Sequence, residues 1–166
     1  MVVVTDAGPL IHLGSCGCLW VLKSLFGQVI VPAAVWNEAT AHPELPGAQE
    51  VLRADWLEVV SAPRVQVRPE FHGLELHRGE RLGLELALEL SAEMFLSDDQ
   101  EAVRAARGVE MPVLGSIGVL IRAKEKGLLE AVMPHLEAMR ASGFWMSKRF
   151  VETVARMVDE EGDTGA

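Results

Sequence analysis

Three short apolar stretches that each run into a polar residue and then into a helix constrain the fold of this chain more than any other feature. Val2-Val3-Val4 leads to Thr5-Asp6 and a helical pattern through Leu10, Ile11 and Leu13. Gln28 to Val31 leads to Pro32, which suits the first turn of a helix carrying Val35, Trp36 and Glu38. Met94 to Leu96 leads to Ser97-Asp98-Asp99 and a helix to about Arg107. Further strands are predicted at Trp56 to Val60 and Met111 to Leu114. Further helices are predicted at Leu19 to Phe26, Gly47 to Ala54, Ser116 to Lys126, Leu129 to Ala141 and Ser147 to Val158. Such alternation predicts an α/β fold with a mainly parallel sheet covered on both faces, in which ligands bind beyond the carboxyl ends of the strands.

The segment from Leu82 to Leu90 alternates Leu with Gly, Glu and Ala, a period that argues for a strand. Its length and its Leu, Glu and Ala content argue for a helix over Glu80 to Ala92, packed through Gly83, Leu84, Ala87 and Leu88. Ser61 to Gly79, with Pro63, Pro69, Gly73 and Gly79, reads as a loop. The 166 residues suit one domain, taken as 1–159, with 160–166 as a disordered tail. With 49% hydrophobic and 23% charged residues, the chain is not a disordered or low-complexity polymer. Its densest apolar stretch, Val29 to Trp36, is too short to span a bilayer. The start MVVVTDAGPL lacks a signal-peptide pattern, so a cytoplasmic protein is expected.

The formal charge of −9 disfavours binding of a polyanion over the whole surface, so nucleic acid would need a local basic patch or cations. Asp6 and Asp98-Asp99 follow strands and would converge on one rim. Glu38, a turn or so into the helix after the second strand, and Glu80, near the start of the helix at Gly79, would join them. Taken singly, an acid after a strand is more often a turn former or helix N-cap. Clustered, such acids repel one another unless hard divalent ions neutralise them, which suggests Mg2+ or Mn2+. Two such ions can activate water and stabilise a leaving oxygen without a side-chain nucleophile. His12, His42, His72, His77 and His135 show no ligand spacing and read as structural or solvated. Cys16 and Cys18 form C-x-C, neither a redox motif nor half of a four-ligand zinc site, and read as small half-buried thiols. Ser116 reads as a helix N-cap, and Trp20, Trp36, Trp56 and Trp145 as core or interface residues rather than stacking platforms.

Several of these pieces carry a family resemblance. They are Asp6-Ala-Gly-Pro-Leu-Ile, Val31-Pro-Ala-Ala-Val-Trp-Asn-Glu38, Gly79-Glu80 with Leu86-Ala87, Leu96-Ser-Asp98-Asp99 with Ala102 and Ala105-Ala106, and Val113-Leu-Gly115-Ser116 with Gly118-Val-Leu120. In order and spacing the chain resembles prokaryotic PIN-domain proteins, to about Phe144. The resemblance implies a three-layer α/β/α fold and a metal-dependent ribonuclease, often the toxin of a toxin–antitoxin pair. It implies Asp6, Glu38, Glu80 and Asp99 as catalytic metal ligands, with Asp98 as the alternative to Asp99 and Ser97 and Ser116 in support.

Arg64, Arg68, His72, His77 and Arg78 lead into Glu80 and are expected to hold RNA, helped by Arg81 and by Arg104 or Arg107; the bland alternative is a solvated loop. The last helix, with Phe150, Val151, Val154, Met157 and Val158 on one stripe, could pack on the domain or reach a second copy. RNA, an antitoxin protein and a homodimer partner are therefore the expected partners. The rival reading is a non-catalytic PIN-like module that binds RNA or protein through a degenerate acidic site.

Overall fold

The computed structural model describes residues 1–61 and 68–161. Five strands, β1 (Val2–Thr5), β2 (Gln28–Pro32), β3 (Glu58–Val60), β4 (Met94–Leu96) and β5 (Val113–Leu114), form one all-parallel sheet in the order β3-β2-β1-β4-β5. Among the described residues nine helices surround it: α1 (Ala7–Ser15), α2 (Trp20–Phe26), α3 (Ala33–Ala39), α4 (Pro46–Arg53), α5 (Arg78–Glu89), α6 (Gln100–Gly108), α7 (Ser116–Glu125), α8 (Met133–Ala141) and α9 (Lys148–Met157). The result is a three-layer α/β/α fold.

Val3 pairs across the sheet with Val29 and Met94, and Val4 with Ile30 and Phe95. Since neighbours along a strand face opposite ways, two cores result. Val3, Val29, Val31, Met94 and Leu96 join residues of α1, α2, α7, α8 and α9 in the larger one. Val4, Ile30 and Phe95 join α5 and α6 in the smaller one. The chain winds from β1 to β2 to β3 on one side, then crosses back to add β4 on the other side of β1. The winding reverses between β1 and β4, and there the carboxyl ends open into a crevice.

Helix composition prevails over the period-two pattern in α5, which is buried over most of its circumference. A Cβ on Gly83 would come 2.9 Å from Phe95 Cε2, so only glycine lets this helix lie so close to the sheet. The helix begins at Arg78 rather than Glu80 and ends at Glu89 rather than Ala92, Ser91 having a positive φ of 50°. β5 is shorter than the expected Met111 to Leu114, since Pro112 has no N–H to donate. β3 likewise begins at Glu58 instead of Trp56. α8 begins at Met133 rather than Leu129, with Pro134 in its first turn.

The expected loop is not entirely solvated. Pro69–Phe71 forms a 3-10 turn, and Phe71 is fully buried in the smaller core. Glu160, expected to open the tail, instead accepts from the N–H groups of Val132 and Met133 (both 2.8 Å) and pairs with Lys124 at 2.6 Å. It thereby caps the start of α8. Residues 162–166 lie outside those described. Trp36 and Trp56 pack partly buried on the larger core. Trp20 and Trp145, by contrast, are 46% and 82% exposed. Trp20 opens α2, and Trp145 follows the bend at Gly143 between α8 and α9. The α9 stripe is narrower than expected, with Val151, Val154 and Val158 buried but Phe150 and Met157 exposed. No described helix is long and apolar enough to cross a membrane by itself.

Candidate active site

β1 delivers Asp6 into the crevice at the point where the chain turns into α1. Its backbone N–H donates to Leu96 O at 2.9 Å, tying it to the end of β4. Its Oδ1 accepts from Ala7 N–H (2.7 Å), making it the N-cap of α1, and its Oδ2 accepts from the Ser97 hydroxyl (3.1 Å). Ser97 Oγ in turn accepts from the Asp99 N–H at 3.2 Å. One buried hydroxyl therefore joins the ends of the two central strands.

The neighbouring aspartates serve differently. Asp99 caps α6, its Oδ1 accepting from Ala102 N–H at 2.9 Å. Asp98 turns towards α7. There it accepts from the Ser116 N–H (2.6 Å), the Ser116 hydroxyl and His12 Nδ1 (2.7 Å). The His12 ring is stacked on Phe144 with centroids 3.7 Å apart. Ser116 is thus not the expected N-cap: Gly115 holds that position, and the serine side chain bonds Asp98 rather than its own helix. Of the two aspartates, Asp98 has both oxygens engaged, whereas Asp99 accepts through Oδ1.

Glu80 is the third residue of α5, and its Oε2 accepts from His77 N–H at 2.9 Å. Glu38 lies in the last turn of α3, and a Cβ on Gly79 would stand 3.0 Å from Glu38 Oε2. Glycine there lets the start of α5 approach that carboxylate. Asp6, Glu38, Glu80, Asp98 and Asp99 line a single pocket of about 270 Å³, with Gly8, His12, His77 and Phe144. The first turns of α1, α5 and α6 meet here and that of α7 donates to Asp98, so their partial positive charge partly offsets the acids.

That offset is incomplete. Burial pushes the Asp6 carboxyl up to about 6, assisted by Glu80 and Glu38 and opposed by the Ala7 N–H and Ser97. Burial also raises Glu80, with Asp99 and Glu38 adding to the shift and the His77 N–H countering it. Among the described residues, three ligand atoms mutually within 4.8 Å occur not in this pocket but at Cys16, Cys18 and His135. The acids ring the pocket more loosely than that.

A family model for PIN domains, DUF3368, matches residues 2–160. The chain belongs to the PIN-domain family. No curated protein and no solved structure gives a match to it. PIN domains are generally nucleases that use divalent metals. In this PIN domain the expected basic set is divided. Arg78 lines a second pocket of about 580 Å³ that includes Glu38 and Gly79. Arg68 and Arg81 are the charged neighbours of buried Glu85, whose carboxyl burial raises and these two arginines lower. Arg64 lies outside the described residues.

Sequence reasoning reads His12 as structural or solvated but does not find its partner, Asp98, which lies 86 residues away. It also places Trp145 in a core or interface, whereas the side chain is exposed. A groove of about 520 Å³ lined by Trp145, Phe150, Gln100 and Arg107 adjoins the acidic pocket, sharing Asp98 and Phe144 with it. No periodicity signals an exposed tryptophan in a bend.

Proposed function

We propose that this PIN domain is a metal-dependent endoribonuclease that hydrolyses phosphodiester bonds in single-stranded or loop RNA. The observation that carries the reading is the convergence of Asp6, Glu38, Glu80 and Asp99 on one pocket at the carboxyl ends of β1 and β4. The donor set is all carboxylate oxygen, and burial, assisted by mutual repulsion, raises Asp6 and Glu80; both features fit a hard divalent cation such as Mg2+ or Mn2+. Those four acids are the residues that would hold it. Bound there, the metal supplies a water of lowered pKa and Lewis-acid stabilisation of phosphate charge.

The protein's own groups set the stage for that chemistry. Ala7 N–H and the Ser97 hydroxyl fix Asp6 through one oxygen each, while the caps on α5 and α6 hold Glu80 and Asp99 through a single oxygen. Asp98, saturated by Ser116 and His12, acts as a positioning residue that holds α1, β4 and α7 together at the crevice. The exposed Trp145 face beside Asp98 supports an unpaired nucleobase as the neighbour of the scissile phosphate.

The helix caps also favour the second reading, a module whose acids serve structure alone. Manganese titration separates the two. A working site raises the melting temperature of the wild-type protein but not of Asp6→Asn, and supports cleavage of a single-stranded RNA. No stabilisation and no cleavage would leave the binding module. The toxin role rests on family resemblance, and growth arrest on induction, relieved by Asp6→Asn, tests it.

A further inference from the structure

A second cluster of ligand-bearing side chains lies at the opposite end of α1 from Asp6. α1 closes with a Schellman motif: Cys18 N–H donates to Leu13 O (2.8 Å) and Gly17 N–H to Gly14 O (3.1 Å), with Gly17 at φ +70°. That left-handed glycine folds the C-x-C segment back on itself, so both thiols emerge on the same side. α8 brings His135 to them across 117 residues, with its Nδ1 3.1 Å from Cys18 Sγ. The Cys16, Cys18 and His135 ligand atoms all lie within 4.8 Å of one another. None of the three lines the acidic pocket.

We propose that Cys16, Cys18 and His135 form a thiophilic metal site that takes one Zn2+ ion, with water in the fourth position. Zinc bonds of about 2.3 Å to sulfur and about 2.0–2.1 Å to nitrogen, at tetrahedral angles, put S···S near about 3.8 Å and S···N near about 3.6 Å. The common limit of 4.8 Å admits those values, and at 3.1 Å His135 has to retreat from Cys18 by only about 0.5 Å. Two thiolates neutralise the charge of the ion, which suits a place where Cys18 is buried and Cys16 and His135 are half-buried. Binding converts two S–H groups into two S–Zn bonds and releases two protons to solvent, with no redox change. The soft N and S donors distinguish this site from the all-oxygen pocket at the other end of the helix. The ion would fasten the end of α1 to the first turn of α8.

The test uses the full-length, reduced protein carrying Asp6→Asn, so that the carboxylate pocket does not contribute. Zn2+ alone should be retained at about one equivalent after dialysis, with release of about two protons per ion. Co2+ in its place should give a thiolate-to-metal charge-transfer band. Cys16→Ser and His135→Ala, both at half-buried positions, should each weaken binding at least about tenfold, and Cys16→Ser should also reduce the band. Absence of the band in the Asp6→Asn protein, or undiminished binding and band in Cys16→Ser, would overturn the site and leave a Cys18–His135 hydrogen bond only. Failure here leaves the carboxylate pocket untouched, since manganese stabilisation of the wild type is read separately.

Discussion

The Ser97 hydroxyl stands 3.1 Å from Asp6 Oδ2 and joins the carboxyl ends of β1 and β4 through one buried hydrogen bond. Ser97→Ala removes a donor that lowers the Asp6 carboxyl and an acceptor for the Asp99 N–H. Stability should fall by about 1 kcal/mol, and the pH at which nuclease activity reaches half its maximum should move up. Urea melts and a pH–rate profile read the two effects; an unmoved profile would show that Ser97 does not orient the acid.

Asp6→Asn should abolish cleavage while the fold persists, and its effect on metal-free stability has a defined sign. The carboxyl sits at about 6 in the folded protein against 3.8 in a model peptide, so the folded state binds more protons between those values. Stability therefore falls as pH rises from about 4 to about 6, by on the order of 3 kcal/mol. Asparagine cannot titrate, so the variant should gain on the wild type across that window in chelator. Parallel melting curves over the whole range would refute the assignment.

The two adjacent aspartates should separate cleanly. Asp98→Asn disturbs bonds to Ser116 and His12 and should cost about 1–3 kcal/mol of stability, with manganese stabilisation largely retained. Asp99→Asn should cost less stability but reduce manganese binding and cleavage at least about tenfold. A reversed pattern would make Asp98 the ligand.

Trp145→Ala should leave folding unchanged, the side chain being 82% exposed, yet weaken single-stranded RNA binding by about 1–3 kcal/mol. Fluorescence of this tryptophan should be quenched by RNA. Equal affinity in the variant would place the substrate path away from the groove.

Among the arginines, Arg78 lies beside Glu38 whereas Arg68 and Arg81 face Glu85. Arg78→Ala should therefore lower RNA affinity alike for all sequences and flatten the salt dependence by about one counterion. Arg81→Ala should instead destabilise the protein by exposing Glu85 to an uncompensated burial cost. Equal RNA effects from both would show that the basic segment acts as a whole.

The layered fold was legible in the sequence, since β-branched stretches followed by polar residues and helix formers are local signals, and local signals fix strand, helix and parallel sheet. The same locality marked Asp6, Glu80 and Asp98-Asp99, which stand just after strands or at a helix start, and Glu38, one turn into the short helix that follows β2. Element ends such as Met111 and Leu129 were misplaced where prolines limit hydrogen bonding. What the sequence alone could not decide were relations between distant segments: His12 with Asp98, Trp145 with the groove, Cys18 with His135, Glu85 with Arg68. Each of these depends on how distant elements pack against one another, and a packing angle leaves no mark in the periodicity of either partner. The different surroundings of Asp98 and Asp99 were likewise visible only in space, because α7 presents Ser116 to the first carboxylate while the second caps α6.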